Sequence, residues 1–192
     1  LLALFGADVV PFEIEGVRTG RLTRGHRVLA PGPFEVATAA GYEAALAEGK
    51  ITLRAADRAT AIERMLLAAA VECGGRLVRD PELIEEVSYL VETPSAFHAS
   101  FDPEFLALPA AVVTTAMREH QRYFAVEDSA GRLLPKFLCV ANSAPGAVQA
   151  VRNGNQRVLR ARLDDARFYW NEDLKTTLEQ KTAKLANVVW LE

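Results

Sequence analysis

A short polar segment in the second half of the chain carries the side chains best suited to recognising a ligand. It consists of His120, Gln121, Arg122 and Tyr123, where a predicted helix passes into a predicted strand. These residues supply two planar hydrogen-bonding groups, a cation and an aromatic ring that could stack on an unpaired base. The same residues could instead form a hydrogen-bonded junction that fixes the turn, with Tyr123 in the core. The residues alone favour neither interpretation.

Arginines recur further along the chain at the spacing of a helix. The segment VRNGNQRVLRARLDDARFYW predicts a helix opened by Asn153, Gly154 and Asn155. The apolar residues of its buried side are Leu159, Leu163, Ala166 and Trp170. The arginines are Arg157, Arg160 and Arg167 on the opposite side, Arg152 at the entrance and Arg162 on a flank. Such a row can bind phosphate at a charged helix start, or it can merely cap and solvate the helix.

Common motifs for catalysis, metal binding and nucleotide binding are missing from the sequence. It contains neither GxxxxGK[ST] nor GxGxxG, and its histidines are far apart without an HExxH pattern. His26, between a glycine and an arginine, is predicted to be a hydrogen-bonded turn residue. A nucleophile made of Cys139 and His120 is conceivable, but Cys139 lies in an apolar strand-like run where buried thiols are usual. We therefore predict no catalytic residue, no metal site and no cofactor in this chain.

The composition predicts a folded domain. Half of the 192 residues are hydrophobic, and no apolar run approaches the roughly 20 residues that a membrane helix needs. The net charge of −3 argues against a general nucleic-acid binder. The charge is uneven, however, because residues 114–170 hold nine Arg and Lys against five Asp and Glu, while residues 1–113 hold ten against sixteen. Such segregation suits a protein that offers one face to phosphate. The two cysteines fit core positions in a reducing cytoplasm.

Short predicted strands and helices alternate through the first half of the chain. This pattern predicts an α+β fold with a mixed or antiparallel sheet and packed helices. We divide the chain into an α+β domain at residues 1–145 and a helical extension at residues 146–192. The apolar residues at both ends indicate that the chain is a piece of something longer.

Local signals predict where several elements begin. Asp80-Pro81 and Asp102-Pro103 each combine a helix cap with a first-turn proline. A brief strand is predicted at residues 51–54, followed by a helix over residues 58–73 that Asp57 caps. A last amphipathic helix is predicted over residues 174–189.

Several segments taken together resemble one known protein family. They are HQRYF (120–124), GNQRVLRARLDDARFYW (154–170), a Lys-rich helix ending in VVW, RGHRVLAPGPFEVAT (24–38) and EEVSYLVETPSAFHASFDPEFLALP (85–109). They are similar to the β subunit of the bacterial heterotetrameric glycyl-tRNA synthetase, over nearly the whole chain. One position departs from the family, which usually has glycine where Ala99 stands. If that position needed a positive φ, the local turn would have to differ here.

The resemblance implies a piece from the N-terminal half of that subunit, with a fold similar to the B3/B4 domain of phenylalanyl-tRNA synthetase. In this family the α subunit holds the active site for glycine, with ATP and Mg. The piece itself is therefore expected to be non-catalytic, without a cofactor. Its expected partners are tRNA(Gly), the α subunit and the remainder of the β subunit, in the cytoplasm and without membrane contact.

The resemblance also assigns the polar residues a role, in a tRNA-contacting and architectural module. The candidate tRNA-binding residues are Arg118, His120, Gln121, Arg122, Tyr123, Arg152, Asn153, Asn155, Arg157, Arg160 and Arg167. Two alternatives stay open. One is hydrolysis of mischarged tRNA, since the similar domain of phenylalanyl-tRNA synthetase houses editing. The other is a purely structural docking module whose arginines are ion-paired inside the chain.

Overall fold

The computed structural model of the chain describes residues 1–182, 185 and 188. Its strands are β1 (Leu4–Phe5), β2 (Asp8–Val9), β3 (Glu13–Ile14), β4 (Val17–Arg18), β5 (Leu22–Arg24), β6 (Pro33–Glu35), β7 (Arg76–Leu77), β8 (Ser95–Ser100), β9 (Phe124–Glu127) and β10 (Leu133–Ala141). Its α-helices are α1 (Tyr42–Glu48), α2 (Ala55–Glu72), α3 (Pro81–Ser88), α4 (Ala110–Gln121), α5 (Val148–Asp173) and α6 (Leu178–Thr182). Short 3₁₀ helices span Ala39–Gly41, Pro103–Ala107 and Pro145–Ala147. None of the described helices is both long and apolar enough to cross a membrane.

The body of the fold is an antiparallel sheet in the strand order β7, β9, β10, β8. Side chains alternate across it, as the pleat of a strand requires. Phe97, Phe137 and Cys139 face α4 and α5, whereas Phe124 and Leu138 face α2 and α3. Each face of the sheet thus carries its own apolar cluster. This confirms the predicted α+β class with an antiparallel sheet and packed helices, while the likeness to a B3/B4 domain stays a prediction.

The long helix α5 is fixed to this body through its apolar edge. Leu159 and Leu163 are completely buried there, in one cluster with Phe105 and Met117. Full burial of two leucines stabilises the folded state by roughly 3–6 kcal/mol. The outward side of α5 is therefore held in a defined position. The domain boundary predicted between residues 145 and 146 stays a prediction.

Several local predictions are confirmed. Asp80 caps α3 by accepting a hydrogen bond from the backbone N–H of Leu83 at 2.9 Å. Asp102 likewise accepts from the N–H of Glu104 at 3.2 Å, at the start of a 3₁₀ helix. Ala99 lies inside β8, where extended backbone accepts any residue, so the departure from the family's glycine needs no special turn.

His26 is a hydrogen-bonded turn residue, as predicted. Its buried ring accepts hydrogen bonds at Nδ1 from the N–H groups of Val28 and Leu29, at 3.2 and 3.1 Å. Its Nε2 lies 2.9 Å from Oδ1 of Asn142. Because Nδ1 accepts, the ring proton belongs on Nε2 and is donated to that oxygen. The ring thereby ties the segment after β5 to the end of β10.

The predictions for the start of α2 are wrong. Residues 51–54 form no strand, and α2 begins before Asp57, which lies in the first turn instead of capping it. The physical reason is Arg58. Its guanidinium donates to the carbonyl oxygens of Thr52 and Leu53, at 2.7 Å each, and so satisfies backbone groups that a neighbouring strand would otherwise have to bind.

The helix predicted over residues 174–189 is only partly covered by the structure. The preceding helix α5 continues to Asp173, and α6 spans Leu178–Thr182 after a short turn. Residues 183, 184, 186, 187 and 189 lie outside the described residues. The predicted C-terminal helical extension therefore stays a prediction.

Candidate nucleic-acid interface

Near the end of α4, Arg118 is held against α3. Its Nε donates to Oδ2 of Asp80 at 2.7 Å, and its Nη2 donates to Oε2 of Glu82 at 3.2 Å. The hydrogen bond to Asp80 raises the pKa of Arg118 above its usual value, so the guanidinium stays charged. Arg118 thus joins two helices. A phosphate group could bind it only by competing with carboxylates that are already in place.

Arg122 follows α4 in a left-handed backbone conformation with a φ of 56°. That conformation costs a non-glycine residue about 1–2 kcal/mol. The side chain of Arg122 reaches back, where Nε donates to Glu86 on α3 and Nη1 donates to the carbonyl oxygens of Arg118 and Glu119. Carbonyl groups in a last helical turn have no partner within the helix. Arg122 therefore caps the helix that precedes it.

Tyr123 is part of the core. Its side chain is 7% exposed and its ring stacks on Phe137, with 4.8 Å between ring centroids. Burial raises the pKa of its hydroxyl above the usual value. A ring packed in this way offers no open face to an unpaired base. Tyr123 and Arg122 therefore match the alternative of a structural junction. The packing of Tyr123 does not support stacking of its ring on an unpaired base.

His120 and Gln121 are in a different situation from their neighbours. The side chain of His120 is exposed and that of Gln121 is half-buried. Neither side chain forms a hydrogen bond within the part of the chain that the structure describes. Both therefore stay candidates for contact with a ligand.

Asn153 and Asn155 do not open α5, which corrects the prediction from sequence. The helix begins at Val148, so Asn153 and Asn155 lie about one and about two turns inside it. Oδ1 of Asn153 accepts from Nε2 of Gln149 at 2.8 Å, and Nδ2 of Asn155 contacts Sγ of Cys139 at 3.4 Å. The intervening glycine costs the helix about 1 kcal/mol relative to alanine. The apolar contacts of α5 outweigh that cost, so no helix start is available here for a phosphate.

Arg167 is paired inside the chain. Its Nη2 donates to Oδ1 of Asp164 at 2.6 Å, and its Nη1 lies 3.1 Å from Oε1 of Glu104. The guanidinium carbon is also 4.9 Å from the ring centre of Phe105. Two carboxylates and an aromatic face thus hold Arg167 against the body.

Arg152 lies at the inner edge of α5 and is half-buried. Its guanidinium carbon is 5.8 Å from the ring centre of Phe97, and its Nη1 donates to Oε1 of Gln149 at 3.0 Å. Its Nε is buried without a hydrogen-bond partner among the described residues. The side chain faces the sheet, so it does not extend the outward arginine row.

Arg157 and Arg160 form the outward part of that row. Both side chains are exposed; helix periodicity places Arg157 opposite Leu159 and Arg160 on the flank beside Leu163. Three residues of helix separate them by about 4.5 Å along the axis. Neither forms an ion pair or a side-chain hydrogen bond within residues 1–182, and the same holds for exposed Arg162. The structure thus divides the arginines of α5 into an anchored set, Arg152 and Arg167, and an outward set, Arg157, Arg160 and Arg162.

A nucleophile made of Cys139 and His120 is not supported by the structure. The thiol of Cys139 is almost completely buried, and burial raises its pKa to about 12. A neutral buried thiol is a poor nucleophile. The described residues also contain no group of three or more His, Cys, Asp or Glu side chains that could hold a metal ion.

A groove of about 400 Å³ lies between α4 and the C-terminal half of α5. Its walls include Val112, Thr115, His120, Tyr169, Trp170 and Asp173. The sequence alone predicts no role for Tyr169 and none for Arg162 beyond its place on a flank. A usable signal was present, because Arg162, Ala166, Tyr169 and Asp173 follow the spacing of one helical stripe.

Comparison with known proteins gives one consistent result. The family described as glycyl-tRNA synthetase beta subunit matches residues 1–192. A glycine–tRNA ligase beta subunit from Moorella thermoacetica is 46% identical over 192 residues, which cover 100% of this chain and 28% of that protein. The corresponding protein of Solidesulfovibrio magneticus is 47% identical over 191 residues, which cover 99% of this chain and 27% of that protein. The chain thus spans a little over a quarter of the length of these relatives.

Proposed function

This chain belongs to the glycyl-tRNA synthetase beta subunit family, and we propose that it is a tRNA-contacting and architectural module of the longer subunit. The reaction it supports is the ATP-dependent attachment of glycine to tRNA(Gly). The site for glycine, ATP and Mg belongs to a separate α subunit. The partners of this chain are then tRNA(Gly), the α subunit and the rest of the β subunit. Its own contribution is to position the tRNA.

The outward arginines of α5 carry this proposal. Arg157 and Arg160 are exposed on adjoining turns and have no ion-pair partner within residues 1–182. A phosphate that binds them displaces only water and counterions. By contrast, a phosphate at Arg118 would have to compete with Asp80 and Glu82.

The ion-paired arginines Arg118, Arg122 and Arg167 support the architectural part of the proposal. Arg118 and Arg122 hold α4 to α3, and Arg167 holds α5 to the segment around Glu104. These contacts fix the helix that presents the outward pair. A rigid scaffold lowers the entropy that binding would otherwise cost.

Salt dependence of tRNA binding tests the proposal. The measurement compares the full-length β subunit carrying this chain with its Arg157→Ala/Arg160→Ala variant, titrated with a tRNA(Gly) transcript at several salt concentrations. Losing two phosphate contacts should flatten the slope of log affinity against log salt by about two units. Arg24→Ala/Arg64→Ala is the matched control, because both of these arginines are also exposed and without an ion pair in the described part of the chain.

An unchanged slope in the Arg157→Ala/Arg160→Ala variant would remove the proposed phosphate contact. An equal loss in the Arg24→Ala/Arg64→Ala variant would show that any exposed arginine contributes, and so would remove its specificity. Editing of mischarged tRNA has no specific observation in its favour, because the buried Cys139 thiol lacks an activating partner within the described residues.

A further inference from the structure

We propose that the groove between α4 and α5 binds an unpaired base of the tRNA. This inference rests on the proposed function and adds the chemical class of the group that is recognised. The groove brings together His120, one of the candidates on α4, and Tyr169 and Trp170 on α5. Tertiary packing thus brings together two segments that are separate in the sequence. The groove between them has a volume of about 400 Å³.

Tyr169 is the stacking surface of this groove. Its side chain is 67% exposed, in contrast to the 7% of Tyr123. Its ring contacts that of Phe168 edge to face, with 5.5 Å between centroids and 76° between planes. This contact limits the motion of the Tyr169 ring while most of the residue stays open to a ligand. Stacking on an aromatic face is how proteins hold unpaired bases, since every base has a π face.

The rim of the groove carries groups that can bind the edge of a base. His120 and Thr115 line the α4 side, and Asp173 lines the α5 side. His120 has no hydrogen-bond partner within residues 1–182. Imidazole, hydroxyl and carboxylate groups offer both donors and acceptors. Asp173 already accepts a hydrogen bond from Nζ of Lys181, whereas an apolar protein segment in the same groove would leave His120 and Thr115 unpaired, which disfavours such an occupant.

Arg162 connects the groove to the phosphate-binding side of α5. It lies on the same helical stripe as Ala166, Tyr169 and Asp173. Seven residues separate it from Tyr169, which is about 10.5 Å along the helix axis. Its guanidinium is exposed and free of ion pairs within residues 1–182. A strand that places a base on Tyr169 can therefore place a nearby phosphate on Arg162, and the negative charge of RNA matches this cation.

A Tyr169→Ala variant of the full-length β subunit, assembled with its α subunit, tests the pocket. Its affinity for a tRNA(Gly) transcript should fall by about 5-fold to 150-fold, the range that removal of one stacked base produces. The salt slope should stay unchanged, because no phosphate contact is lost. Tyr169→Phe keeps the ring and should bind like the parent. Binding of a blunt RNA duplex, which offers no unpaired base, should not change.

Tyr89→Ala is the matched control, because Tyr89 has the same 67% exposure but lies at the end of α3, outside the groove. Equal losses for Tyr89→Ala and Tyr169→Ala would overturn the pocket. Unchanged tRNA binding by Tyr169→Ala would also overturn the pocket. If the Arg157→Ala/Arg160→Ala variant still flattened the salt slope in that case, the proposed function would remain without the pocket. If Tyr169→Ala left tRNA affinity unchanged and Arg157→Ala/Arg160→Ala left the salt slope unchanged, both proposals would be wrong. If Tyr169→Ala weakened assembly with the α subunit and left tRNA affinity intact, the groove would be a protein interface instead.

Discussion

The contact between α3 and α4 and the outward side of α5 hold arginines at similar spacing along the chain but in opposite environments. Arg118 and Arg122 end on carboxylates of α3. Arg157 and Arg160 have no such partner within residues 1–182. The first pair consolidates the fold, while the second pair remains available to a polyanion.

The difference shows that the environment of an arginine decides its role. A carboxylate already hydrogen-bonded to a guanidinium competes with an incoming phosphate for the same donors. Where no carboxylate is bound, phosphate binding meets no such competition, and the release of counterions from the nucleic acid makes it favourable. The acidic residues of α3 therefore determine what the arginines of α4 can do.

The largest expected effect concerns the anchoring of α5. Leu163→Ala should lower the free energy of unfolding by about 2–5 kcal/mol, because Leu163 is fully buried and the change leaves a cavity. Leu174→Ala, at an exposed leucine, should change it by no more than about 0.5 kcal/mol. Urea denaturation monitored by circular dichroism measures both. A small effect of Leu163→Ala would mean that α5 does not hold its outward arginines in a fixed position, and the comparison would lose its basis.

An intermediate effect should separate the two pairs of arginines directly. Arg118→Ala/Arg122→Ala should lower the urea midpoint, because it leaves Asp80 and Glu86 unpaired and removes the cap of α4. Arg157→Ala/Arg160→Ala should change the free energy of unfolding by no more than about 0.5 kcal/mol, as for most surface changes. Equal shifts of the urea midpoint in the two variants would contradict the division into anchored and outward arginines.

The smallest expected effect is a pH dependence at Asp80. Burial pushes the pKa of its carboxyl up, but the hydrogen bonds from Arg118 and the N–H of Leu83 outweigh burial, so the pKa lies below its usual value. The stability that this charge contributes is thus present above the unfolded pKa of about 3.9 and is lost as the pH falls through the folded pKa. Asp80→Asn keeps a capping oxygen but loses the charge.

The stability difference between the parent and Asp80→Asn should therefore be constant near neutral pH and should shrink as the pH falls below about 4. Unfolding curves recorded from about pH 3 to about pH 7 measure this stability difference. Asp102→Asn is the matched control, since Asp102 also caps a helix but pairs with no arginine in the described part of the chain. A difference for Asp80→Asn that does not vary with pH would show that its charge is not part of the α3–α4 contact.

Local sequence signals predicted the caps at Asp80 and Asp102, the turn at His26 and the apolar strand that contains Cys139. Each depends on residues a few positions apart, whose geometry follows from a single helix or strand. The prediction failed at the start of α5, because Asn153, Gly154 and Asn155 together indicated a helix start. Burial of Leu159 and Leu163 against the sheet overrode that local preference. It failed at residues 51–54 for a similar reason, since Arg58 satisfies backbone groups that no sequence pattern assigns to it.

By itself the sequence determined the family, the α+β class with a mixed or antiparallel sheet, and which side of α5 is apolar. Only the tertiary structure decided which arginines are already paired and that His120 and Tyr169 share a groove. The physical reason is range. Helix periodicity and capping act over three or four residues, whereas Asp80 and Glu82, the partners of Arg118 at the start of α3, lie 38 and 36 positions away along the chain. Folding brings such groups together, and charge pairing depends on the distance that results.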